Sequence, residues 1–112
     1  TARRGVGAAA AVRLSDTLKE AGTGHSSGLT PIGRTVPRAS LWRAQTPQGF
    51  PRSMLESAYA SARAAGVAAT DDAELVERAG VTVVLVPDVS TNLKVTTAGD
   101  FVLAEALAVA RR

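Results

Sequence analysis

Along the second half of the chain the apolar positions fall at helical spacing. From Pro51 to about Ala65, Met54, Leu55, Ala58, Tyr59 and Ala62 recur every three or four residues, with Pro51 suited to a first helical turn and Gly66 to the stop. A second, shorter helix is predicted next. Thr70 is its expected N-cap, Asp71, Asp72 and Glu74 suit the positive end of its dipole, and Leu75, Val76 and Ala79 form an apolar face before Gly80. The β-branched run Val81-Thr-Val-Val-Leu-Val86 reads as a strand covered on both faces and ended by Pro87. Asn92-Leu-Lys-Val-Thr96 is a short extended segment feeding a final amphipathic helix from about Ala98 to Ala110. In the first half, the apolar run Ala8 to Val12 reads as a buried strand, and Ser15 to Lys19 as extended and half-buried. The turn-rich stretch Ala21 to Gly28, which contains His25, separates two segments able to pair as a hairpin projecting from a small core. Leu41 to Thr46 alternates like a strand until Pro47 and Gly49 stop it. Strands alternating with helices imply an α/β layer arrangement.

Composition narrows the function. A chain of 112 residues, 46% apolar and 21% charged, holds one small domain, and no apolar run approaches the about 20 residues of a membrane-spanning helix. There is no Cys, which removes disulfides, thiolate zinc sites and cysteine nucleophiles, and the single His25 cannot build a histidine metal site. Trp42, Phe50, Tyr59 and Phe101 are too few aromatics for a base-stacking platform. The net charge of +3 is carried by scattered Arg residues, a pattern that suits a small anionic ligand. The basic, then small and apolar start imitates a targeting peptide, but the run is short and meets Arg13. A chain beginning with Thr1 is expected to be a piece of something longer.

Four polar clusters stand where strands end or helices begin, the places at which α/β folds bind ligands: Asp16-Thr-Leu-Lys19, Arg38 with Gln45-Thr-Pro-Gln48, Thr70-Asp-Asp72, and Asn92-Leu-Lys-Val-Thr-Thr97. Lys94 sits between apolar neighbours, where an ammonium either meets an anion or snorkels to water. Arg38 follows Val36-Pro37 in a stiff extended stretch, and its planar fork can grip a phosphate in two places or stand solvated on a hairpin. Asp71 and Asp72 resemble paired acids, yet adjacent acids at a helix start usually cap it. His25 in its Gly/Ser turn reads as a solvated loop residue. Gly5-Val-Gly-Ala lacks the third glycine and the preceding strand of a dinucleotide fingerprint, and no Walker pattern is present.

Taken in order, Asp16-Thr-Leu-Lys19, Thr35-Val-Pro-Arg-Ala-Ser-Leu-Trp42, Gln45-Thr-Pro-Gln-Gly-Phe50, Thr70-Asp-Asp-Ala73, Leu75-Val-Glu77 and Asn92-Leu-Lys-Val-Thr-Thr97 resemble the C-terminal half of a 2-C-methyl-D-erythritol 4-phosphate cytidylyltransferase. The resemblance covers nearly the whole chain. It implies part of a Rossmann-like α/β nucleotidyltransferase fold with a projecting β-hairpin arm, at residues 13–40, that dimerises two subunits. It also implies the joining of CTP to methylerythritol phosphate with release of pyrophosphate, in non-mevalonate isoprenoid synthesis. Residue by residue, Thr17 and Arg38 of the arm would reach the polyol phosphate bound by the other subunit. Lys94 would meet that phosphate or the triphosphate and act catalytically, Thr46 would line the substrate pocket, and Thr70 would complete it.

Two departures from the family's pattern shape the expectation. Arg13 stands where the family usually has Pro, which should loosen the start of the arm. The glycine-rich triphosphate loop, the cytosine-recognition segment and the Asp that holds Mg²⁺ do not occur here. The chain is therefore expected to supply the polyol-phosphate and dimer side of a site, to hold no metal itself, and to be inert alone. A bacterial cytoplasmic or plastid setting follows from the family, with neither nucleic acid nor membrane as partner. Two alternatives remain: a ribitol 5-phosphate cytidylyltransferase, which shares the Thr-Pro-Gln, Thr-Asp-Asp and Asn-x-Lys-x-Thr segments, and a non-catalytic dimerisation module. Trp42-Arg-Ala-Gln45 after Thr35-Val-Pro-Arg38 leans toward the methylerythritol enzyme.

Overall fold

A computed structural model describes residues 5–24 and 27–111, so His25 lies outside the described residues. The chain forms two compact units, one made of the described residues up to Val12 together with those from Ala44 onward, the other of Arg13–Arg43.

At the centre of the first unit is β1 (Gly7–Arg13), hydrogen-bonded between β4 (Trp42–Gly49) and β5 (Val83–Pro87). β1 and β5 run parallel, from Gly7 opposite Val83 to Ala11 opposite Pro87. The small residues of β1 let its neighbours approach closely. Ala9 and Ala11 are buried, and a Cβ added to Gly7 would lie 2.5 Å from Cδ1 of Phe50. Helices α1 (Arg52–Ala65) and α2 (Asp72–Arg78) supply the rest of the buried core through Ala58, Ala73 and Val76. Pro51 occupies the N-cap position of α1, and Gly66 closes it with φ at 66°, the left-handed geometry a side chain would strain.

Three expectations change at this level. β4 does not stop at Pro47: it continues to Gly49 across a cis Thr46–Pro47 bond, because a strand at the sheet edge has no obligatory donor to give on its outer side. β5 is not covered on both faces; it too is an edge, and Leu85 and Val86 are 48% and 42% exposed. α3 (Ala98–Ala110) has the predicted span but buries no residue, and Phe101 and Val102 on its surface are 57% and 66% exposed. It is apolar nearly all round, with Asp100 and Glu105 as its charged residues, so it is not the amphipathic helix that was expected. Asn92 to Thr96 joins no sheet. No described helix is long and apolar enough to cross a membrane.

In the second unit β2 (Leu18–Ala21) pairs antiparallel with β3 (Ile32–Val36), Leu18 opposite Val36, with an irregularity between Glu20 and Ala21. Cross-strand polar pairs decorate the hairpin: Lys19 Nζ donates to Thr35 Oγ1 at 2.6 Å, and Arg34 meets Glu20 at 3.0 Å. At the base of the unit the Leu14 amide donates to the Leu41 carbonyl at 3.1 Å, and the Arg13 guanidinium lies 4.9 Å from the Trp42 ring centroid. That cation–π contact gives Arg13 a partner within the unit.

Candidate functional site

The Gln45-Thr-Pro-Gln48 segment of β4 lies between the two other polar clusters of its unit. Toward the loop after β5, Gln45 Nε2 donates to the Asn92 carbonyl at 3.2 Å, while Asn92 Nδ2 donates back to the Thr46 carbonyl and to Asp88 Oδ2 at 2.6 Å. Toward α2, Gln48 Nε2 donates to Asp71 Oδ2 at 3.1 Å and to the Gln45 carbonyl at 3.3 Å, and Gln48 Oε1 accepts from the Ala73 amide at 3.2 Å. Thr46 is thus flanked by two glutamines, one tied to the loop that carries Lys94 and the other to the turn that carries Thr70. Lys94 and Thr70 are both exposed.

The start of α2 differs from its sequence reading by one residue. Asp71 is the N-cap, accepting from the Glu74 amide at 2.8 Å; an N-cap side chain serves the amide three residues on, and Asp71 is placed to do so. Thr70 gives its amide and its hydroxyl to Glu74 Oε2, at 2.8 and 3.1 Å. Those bonds, the amide first, lower the Glu74 pKa, with smaller help from the charge of Arg78 against a little desolvation. The second acid, Asp72, accepts from the Tyr59 hydroxyl, and that bond is the main reason the Tyr59 pKa is raised. Both aspartates therefore have structural partners, in keeping with the capping reading of Asp71.

At the far end of the Lys94 loop, Thr97 caps α3 by accepting from the Asp100 amide at 3.1 Å, and Asp100 Oδ2 accepts from the Thr96 hydroxyl at 2.9 Å and from the Thr96 and Thr97 amides. This reciprocal capping, led by the Thr96 hydroxyl, lowers the Asp100 pKa. Lys94 is thereby held between Asn92 on one side and a capping box on the other.

In the Arg13–Arg43 unit the remaining two candidates meet. Arg38 Nη1 donates to Thr17 Oγ1 at 3.4 Å, and both side chains are exposed, with the rest of the guanidinium fork open to a ligand. Among the described residues no three His, Cys, Asp or Glu side chains gather to hold a metal ion, and Asp71 and Asp72 already accept from Glu74, Gln48 and Tyr59. These residues do not fit a magnesium site.

Residues 1–110 match the family model of 2-C-methyl-D-erythritol 4-phosphate cytidylyltransferase. The chain belongs to this family. It is similar to the 2-C-methyl-D-erythritol 4-phosphate cytidylyltransferase of Syntrophus aciditrophicus, with 47% identity over 105 residues that make up 94% of this chain and 43% of that one. Against the cytidylyltransferase of Deinococcus radiodurans the identity is 51% over 100 residues, 89% of this chain and 40% of the relative. The crystal structure of the Thermus thermophilus enzyme superposes with a TM-score of 0.79 at 41% identity, covering 96% of this chain and 50% of that one. The chain therefore spans about half or less of the length of the relatives it matches.

Sequence reading of the cytidylyltransferase segments overlooked Gln45, Gln48 and Asn92 as individual residues. Their signal is faint but physical: primary amides within two residues of Thr46 and Lys94, in segments otherwise reading as extended, where a part-buried amide needs a partner.

Proposed function

We propose that this chain provides the polyol-phosphate side of a cytidylyltransferase site, for the reaction that joins CTP to 2-C-methyl-D-erythritol 4-phosphate in isoprenoid synthesis. The family match over residues 1–110 carries this reading. Its support in the structure is the presentation of Thr17 with Arg38 in one unit, and in the other of Thr46 on β4, Thr70 just before α2 and Lys94 in the loop before α3, as exposed polar groups.

In the proposed reaction a phosphate oxygen of methylerythritol phosphate attacks the α-phosphorus of CTP. A new P–O bond forms there, the bond from the α-phosphorus to the α,β-bridging oxygen breaks, and pyrophosphate leaves with that electron pair. No side-chain nucleophile is required. What the chemistry needs is two anions held close together while charge redistributes, so cations and oriented hydroxyls are the useful groups. Arg38 would hold the polyol phosphate through its fork, with Thr17 orienting the guanidinium, delivered by the β2–β3 arm to the site of a second subunit. Lys94 would neutralise charge between the two phosphates as the catalytic residue. Thr46 would line the pocket and Thr70 would close it beside α2. Mg²⁺ would be held outside the residues of this chain.

Binding of methylerythritol phosphate tests the assignment. Arg38→Ala and Lys94→Ala should each weaken it about tenfold or more, the scale of a lost charge-assisted hydrogen bond. Unchanged affinity in both would favour a dimerisation module whose cations are only surface. Ribitol 5-phosphate, the substrate of the nearest alternative, should bind more weakly than methylerythritol phosphate.

A further inference from the structure

We propose that Asn92, braced by Gln45, is a positioning residue that sets the placement of Lys94 relative to Thr46; this rests on the reading of those two residues as substrate contacts. Lys94 has a long, flexible stem, and an ammonium on such a stem is aimed only as well as its backbone is held. The backbone around it belongs to no strand or helix. Two residues upstream, Asn92 makes four hydrogen bonds: its amide donates to the Val89 carbonyl at 3.2 Å, its carbonyl accepts from Gln45 Nε2 at 3.2 Å, and both side-chain N–H groups are used, on the Thr46 carbonyl and on Asp88. The brace is reciprocal. The side chain of Gln45 holds the main chain of 92, and the side chain of 92 holds the main chain of 46, so a displacement of the loop against β4 is resisted from both directions.

Stability alone does not account for Gln45. Its Oε1 is buried and has no hydrogen-bond partner among the described residues, an arrangement that costs free energy and that an apolar side chain of the same size would avoid. The return on that cost is the single bond from Nε2 to the loop that carries Lys94. A side chain whose one hydrogen bond is aimed at the anchor of a candidate catalytic lysine, while its own buried oxygen goes unpaired among the described residues, is a placement device. Asp88 completes it by holding the second N–H of Asn92, so that the amide plane cannot rotate away from Thr46.

The test is a titration of 2-C-methyl-D-erythritol 4-phosphate into the isotopically labelled chain, followed through backbone amide resonances, for wild type, Lys94→Ala, Gln45→Leu, Asn92→Leu and the Asn92→Leu/Lys94→Ala pair. Gln45→Leu should leave the melting temperature unchanged or raised while weakening binding about tenfold, which a purely structural role would not do. Asn92→Leu should weaken binding as much, and the pair should bind no more weakly than Lys94→Ala alone, because Asn92 acts through Lys94. If Asn92→Leu does not fold, Gln45→Leu decides. Wild-type affinity in the brace variants, alongside weakened binding in Lys94→Ala, would overturn the inference and leave the substrate reading intact, as would losses that add in the pair. No saturable binding by the wild-type chain, or wild-type affinity in Lys94→Ala, would overturn both.

Discussion

Gly7 marks how tightly β1 is built. Its hydrogen is the only substituent for which the Phe50 ring leaves room, since a Cβ would come within 2.5 Å of one ring carbon and 2.8 Å of the next. Gly7→Ala should therefore destabilise the fold by about 1–3 kcal/mol, the usual penalty for forcing a methyl into a packed site. Denaturant unfolding would show it as a lower midpoint at an unchanged slope. The same scale explains what a sequence reader can and cannot see. Thr70-Asp-Asp72 advertises a helix start, and the helix is there; that Asp71 rather than Thr70 takes the cap depends on which side chain faces the Glu74 amide, and neighbouring good cappers read alike. Gln45 and Asn92 are 47 positions apart, and nothing local in either announces the other.

Elements were legible where their signals are local. α1 follows from apolar spacing between Pro51 and Gly66, and the β2–β3 pairing from the turn residues between its arms. Two errors share a cause, the environment supplied by other elements. Pro47 would break an interior strand but is accommodated in β4 at an edge, and the apolar run in β5 looks covered on both faces although the described sheet ends with it. The helix starts make a prediction about pH. Glu74 and Asp100 have lowered pKa values because Thr70 and Thr96 donate to them, so in the folded chain they stay ionised to more acidic conditions than when unfolded. Their contribution is complete above the ordinary carboxylate pKa of about 4 and is lost as pH falls below it, because the unfolded chain takes up protons first. The melting temperature should hold steady from pH 7 to about 5 and then fall, and Glu74→Gln with Asp100→Asn should flatten that fall. An equally steep decline in the double variant would show that these capping carboxylates are not its source.

At the scale of the whole molecule, a core of small side chains is set beside a large apolar surface. Among the described residues Val76 is the one sizeable side chain fully buried, whereas Leu85, Phe101, Val102 and Val109 are between 48% and 66% exposed. Surface of that kind on α3 and β5 is suited to burial against further protein. The proposed function gives it a use, since the CTP-binding part of a cytidylyltransferase would have to stand close to Lys94, in the loop that joins these two elements. The most direct measurement is CTP-dependent pyrophosphate release with methylerythritol phosphate and Mg²⁺, run on this chain alone and on the chain mixed with the separately produced N-terminal half of the Deinococcus radiodurans relative. Release only in the mixture, abolished by Lys94→Ala, is the predicted result. Turnover by the chain alone, or a folded mixture that binds both substrates without releasing pyrophosphate, would contradict the claim that this chain supplies the polyol-phosphate side of the site.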